Sequence, residues 1–149
     1  MNMLSNEKVN FKSLEENIFK EMMKLGREII QEELRMLDKL ILDYRDKEIF
    51  VPKDFQPTTI KTKLGEIPIA RRRYKMVIRG ETKWVYLLDE LLEINDFGLY
   101  SQGIVEMVAR EIAKKSYRET AKTISEDTEN AISHTAVRNI VLKLGEKIK

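Results

Sequence analysis

No cysteine occurs in the 149 residues, which rules out disulfides and thiolate metal sites and fits a reducing compartment. Three prolines and six glycines leave room for long uninterrupted helices. The single histidine, His134, rules out a histidine metal cluster. No apolar run reaches the roughly 18 residues that a membrane-spanning helix needs, and Met1 to Phe11 lacks the apolar core of a secretion signal. A cytoplasmic protein without membrane contact is the expectation.

Charge is plentiful, at 35% of residues, yet nearly balanced, with a net of +2. The balance hides an uneven distribution. Residues 1–50 hold 9 basic against 11 acidic side chains, and residues 51–90 hold 9 against 5. Residues 91–100 hold none against 2, and residues 101–149 hold 9 against 7. A basic excess in the middle and at the C-terminal end is compatible with phosphate contacts, and weaker than a dedicated basic arm.

The periodicity divides the chain into an N-terminal helix (1–50), a β-meander (51–90) and a helical region (91–149). Leu14, Ile18, Met22, Leu25 and Ile29 recur at helical spacing, and Ile30, Leu34, Leu37, Ile41 and Tyr44 continue with a one-residue shift. Ser13 and Glu16 have capping-box spacing, and Gly26 is the one mild interruption. A stripe this long exceeds what a small domain covers, so a homodimer through the Leu14–Tyr44 helix is expected.

Val51 to Pro57 reads as a proline-marked connection. Period-two alternation then predicts strands over Thr58–Lys63, Ile67–Val77 and Thr82–Leu87, separated by turns at Leu64-Gly65-Glu66 and Ile78-Arg79-Gly80-Glu81. Pro68, which cannot donate to a ladder, belongs at a strand start or an edge. Helices follow over Ser101–Lys115, Ser116–Ser125 and Ser133–Lys147, the last two joined by a polar turn at Glu126–Asn130. The fold class is α+β, mostly α.

The last two helices have the pattern of a helix-turn-helix. Ala121 is small where the two helices would cross, Ile124 is apolar one turn later, and Ile132, Val137 and Ile140 have the spacing to pack on the first helix. Ser133, His134, Thr135, Arg138 and Asn139 then form the exposed face of the second helix, with Lys143 nearer phosphates. Arg and Asn are the side chains that read guanine and adenine edges in two-point fashion. The connecting turn is longer than the usual one, and a plain helical bundle is the competing reading.

Lys61, Lys63, Arg71, Arg72, Arg73, Lys75 and Arg79 crowd the meander. Arg71 and Arg73 share one face of a strand and Arg72 takes the other. Such a cluster either touches the DNA backbone or protects an edge strand from self-pairing. Trp84 and Tyr86 read as core. Asp89, Glu90, Glu93 and Asp96 read as a helix start with its favourable negative charge. No nucleophile–base pair, phosphate-cradling glycine loop or metal-ligand spacing occurs, so no catalytic residue, metal or cofactor is expected.

Thr58-Thr59-Ile60-Lys61-Thr62, Leu64-Gly65-Glu66, Arg71-Arg72-Arg73-Tyr74 and Val85-Tyr86-Leu87-Leu88-Asp89 together resemble the N-terminal half of the ISLre insertion-sequence transposases, often filed as an uncharacterised protein family. Ser116-Tyr117-Arg118-Glu119-Thr120-Ala121 and Ile132-Ser133-His134-Thr135-Ala136-Val137 are similar to that family's helix-turn-helix. The resemblance runs from about Val9 to the last residue. It implies that a ribonuclease-H-like domain follows, whose acidic residues hold two divalent metals for strand cleavage and joining. On that resemblance, Lys149 falls inside the DNA-binding part, and the expectation is a shortened transposase region that binds DNA and does not cut it. The alternatives are a small dimeric transcriptional regulator and a structural protein that uses the meander as its contact surface.

Overall fold

A computed structural model describes residues 10–94 and 99–148. Helix α1 (Phe11–Tyr44) leads into an antiparallel sheet of β1 (Phe50–Thr62), β2 (Gly65–Ile78) and β3 (Glu81–Val85), ordered β1-β2-β3. Four shorter helices follow: α2 (Leu87–Leu92), α3 (Gln102–Ile112), α4 (Tyr117–Thr128) and α5 (His134–Ile148). The class is α+β and mostly helical, with the long first helix and three-stranded meander that the periodicity predicts. Asp96 lies outside the described residues.

α1 starts one turn earlier than the Ser13–Glu16 spacing predicts. Asn10 is the cap: its side chain accepts from the Ser13 amide at 2.8 Å, and the Ser13 hydroxyl accepts from the Asn10 amide. The helix runs unbroken past Gly26, where a Cβ would come within 2.9 Å of the Leu64 side chain. That glycine admits the β1–β2 turn against the helix.

β1 begins at Phe50, so Val51–Pro57 is strand and not connection. The prolines misled because edge strands tolerate them. Lys61 donates its amide away from β2, to the Leu99 carbonyl. Pro57, an even number of residues away, therefore has its missing N–H on the same open side. A register shift between Pro52 and Asp54 accommodates the other proline. Pro68 obeys the edge rule, since β3 pairs only with Tyr74–Ile78 and leaves that part of β2 without a strand on its second side. α1 fills the space: Gln31 donates to the Pro68 carbonyl at 2.6 Å and Arg27 to the Leu64 carbonyl at 2.7 Å.

The third strand ends at Val85, and Leu87, expected in it, opens α2. The β2–β3 hairpin turns through Arg79 and Gly80, both at positive φ (52° and 80°), the two-residue geometry whose twist suits paired strands. Trp84, expected in the core, is half exposed.

Two cores result. Leu34 of α1 joins Ile60, Ile67 and Ile69 of the sheet, with Ile30, Leu92, Ile94 and Leu99 packed against them. Ile104, Val105, Val108, Ala121, Ile124, Ile132, Val137 and Ile140 form the second, which unites α3, α4 and α5. Each large aliphatic side chain buried there contributes about 1.5–3 kcal/mol. The apparent single stripe of α1 is really two faces: Met23 and Leu34 are buried, whereas Ile18, Met22, Leu25 and Ile29 face outward.

Candidate nucleic-acid interface

α4 and α5 cross with Ala121, Ile124, Val137 and Ile140 all buried between them and α3. Ser116 caps α4 by accepting from the Glu119 amide at 3.1 Å, and Ser133 caps α5 by accepting from the Ala136 amide at 3.1 Å. The expected turn at Glu126–Asn130 is displaced. α4 continues to Thr128, and five residues, Glu129 to Ser133, make the connection. Glu126 and Asp127 are polar because they lie on the exposed side of the last helical turn.

The turn is held from both ends. Glu129 caps α4 in the left-handed conformation (φ 55°). The Ser125 hydroxyl accepts from the Ile132 amide at 3.0 Å and donates back to the Ile132 carbonyl at 3.2 Å. Asn130 is buried, and its amide donates to the Thr128 hydroxyl and to the Thr62 carbonyl, both at 2.7 Å. Lys61 donates to the Ala131 carbonyl, and Arg27 lies 3.7 Å from Glu129. The end of β1 and α1 thus brace the connection between α4 and α5. Asn130 was not singled out by sequence reasoning; as a polar residue in a polar stretch it resembles any solvated turn residue.

Ser133, His134, Thr135, Arg138, Asn139 and Lys143 are all exposed, and they lie on the side of α5 away from Val137 and Ile140. Among the described residues, His134, Arg138 and Lys143 engage no carboxylate of the chain. The helix therefore offers a polar, cationic face on which, among the described residues, His134, Arg138 and Lys143 are uncommitted, while the Ser133 hydroxyl is taken up by the cap. Tyr117 and Arg118, exposed in the first turn of α4, adjoin the same unit.

The arginine run behaves differently. Arg71 forms an ion pair with the buried Asp89, Arg72 with Asp38 at 3.1 Å, and Arg73 with Asp54 through two contacts at 3.0 and 2.7 Å. Each guanidinium also lies over a ring: Arg71 over Tyr86 at 4.0 Å, Arg72 over Phe55 at 4.3 Å and Arg73 over Trp84 at 4.6 Å. These three cations are spent within the chain, binding α1, the strands and α2 together. Burial pushes the Asp89 carboxyl above the usual aspartate range, with the Arg71 cation pulling the other way. The Arg73 hydrogen bond holds the Asp54 carboxyl below that range. Sequence spacing placed the arginines on the correct faces, but their acidic partners lie 18 to 34 residues away and carry no local signal.

Among the described residues no group of three or more histidine, cysteine, aspartate or glutamate side chains is placed to hold a metal ion. No helix among them is long and apolar enough to cross a membrane.

No solved structure matches this chain. A UPF0236 protein of Caldanaerobacter subterraneus subsp. tengcongensis, named with eleven locus labels from TTE0033 to TTE2212, is 30% identical over 124 residues, 83% of this chain and 26% of the relative. UPF0236 protein TTE2489 of the same organism is 29% identical over 124 residues, again 83% of this chain and 26% of the relative. A third, named with the labels TTE0610, TTE0881, TTE1053 and TTE2432, is 28% identical over the same coverage. The chain spans about a quarter of the length of these relatives. The UPF0236 family profile matches residues 4–149, and the chain belongs to UPF0236, an uncharacterised protein family.

Proposed function

We propose that α4 and α5 form a helix-turn-helix that binds double-stranded DNA, within the DNA-binding region of an insertion-sequence transposase. The observation that carries the reading is the face of α5, where Ser133, His134, Thr135, Arg138 and Asn139 stand exposed while Val137 and Ile140 lock the helix onto its neighbours. With α5 in the major groove, Arg138 and Asn139 meet base edges, and Ser133, Thr135 and Lys143 lie toward phosphates. Arg71, Arg72 and Arg73 hold the scaffold and do not contact DNA.

The relatives' names favour a mobile element over a chromosomal regulator. One protein carries eleven locus labels in one organism and another carries four, as expected of a sequence that copies itself. In this reading the 149 residues supply DNA recognition. A homodimer through α1 completes the reading, because two recognition helices suit two half-sites. Selection of a preferred site from random oligonucleotides, followed by titration at several salt concentrations, tests it. A preferred site with a steep salt dependence is expected; folded protein that retains no DNA at low salt overturns it.

A further inference from the structure

α1 carries a second apolar face that no described part of the chain covers. Ile18, Met22, Leu25, Ile29, Met36 and Leu40 are 48–61% exposed, although Met23 and Leu34 of the same helix are buried. At about 100° per residue the two sets point roughly 140° apart. The steps from Ile18 through Met22, Leu25 and Ile29 to Met36 are 4, 3, 4 and 7 residues, the spacing of a two-stranded coiled-coil seam.

We propose that this face pairs antiparallel with α1 of a second copy, in a register centred on Arg27. Leu25 then lies opposite Ile29 of the second copy, Ile18 opposite Met36, and Leu14 opposite Leu40. Charge selects the orientation. The seam positions that are not apolar are Glu15, Glu32, Lys39 and Asp43. A parallel pair sets each against its own like charge. The antiparallel register sets Glu15 against Lys39, Glu32 against Met22 and Asp43 against Phe11, so no layer holds two like charges. With the eight large apolar side chains just placed in each copy at about 100 Å² apiece, the contact buries on the order of 1,600 Å², the size of a specific interface.

The inference rests on the homodimer part of the reading above and not on DNA binding, so it is tested without DNA. Because the chain lacks cysteine, Ile18→Cys and Met36→Cys chains can be made separately, mixed, refolded together and oxidised. Disulfides joining position 18 to position 36 are expected to predominate, since in this register position 18 lies about 27 Å from its own copy. Disulfides joining like positions, or a chain that sediments only as monomer, overturn the proposal. Leu25→Lys with Ile29→Lys should yield monomer with an unchanged circular dichroism spectrum, because both side chains are exposed. Glu15→Lys should weaken pairing and the added Lys39→Glu should restore it; an unaltered dimer in either case overturns the register. Monomeric protein that still binds its DNA site would overturn the pairing and leave the DNA-binding part of the proposed function standing.

Discussion

The Asn130 amide donates to the Thr62 carbonyl at 2.7 Å, joining the α4–α5 connection to the end of β1 across 68 residues of chain. Removing it leaves a part-buried carbonyl without its partner. Asn130→Ala should therefore cost about 1–3 kcal/mol of stability in urea unfolding. An unchanged midpoint would mean that Ser125 and Ile132 hold the turn unaided.

Arg71 and Asp89 make the most deeply buried ion pair among the described residues, with Asp89 1% exposed. Asp89→Ala strands the Arg71 cation and should cost about 3–5 kcal/mol. The double replacement Arg71→Met with Asp89→Leu removes both charges and should recover most of that loss. A double variant as unstable as the single one would show that shape, not charge, governs the site.

Asp54 and Asp89 should titrate on opposite sides of the ordinary aspartate value. The Arg73 hydrogen bond lowers the Asp54 pKa, so its stabilisation is complete above the unfolded value and is lost as pH falls through the folded one. Burial raises the Asp89 pKa, so the native state holds the extra proton between the unfolded and folded values, and this contribution declines as pH rises through that window. Carboxyl carbon NMR should find Asp54 low and Asp89 high. Arg73→Gln should raise Asp54 and leave Asp89 in place; both groups on one side of the ordinary value would contradict the assignment of causes.

The elements most legible in the sequence were those set by local rules. The α1 periodicity, the Gly80 turn, the Ser116 and Ser133 caps and the exposed face of α5 all follow from spacing within a few residues. What misled was decided at long range. Pro52 and Pro57 read as a break because nothing local reveals that β1 is an edge. Trp84 read as core because its covering partner, Arg73, lies eleven residues away across a hairpin. The two faces of α1 merged into one stripe because hydrophobicity alone does not separate a sheet contact from an open seam.

Arg72 is half-buried against Asp38 and Phe55. Arg72→Ala should thus lower stability while leaving the salt dependence of DNA binding unchanged. A salt slope reduced by about one unit would instead place that guanidinium on a phosphate.

The most direct test of the central claim is DNA affinity of the Arg138→Ala variant on a selected site and on random DNA, with Val137→Asp as the folding control. Arg138 is exposed and pairs with no carboxylate among the described residues, whereas Val137 is fully buried in the helix seam. Arg138→Ala should cost about 1–3 kcal/mol on the preferred site, much less on random DNA, and nothing in stability. Val137→Asp should unfold the α3–α4–α5 unit by burying an unpaired charge. Equal binding by wild-type and Arg138→Ala protein on the preferred site, or no retention of DNA by folded wild-type protein at low salt, would contradict the account.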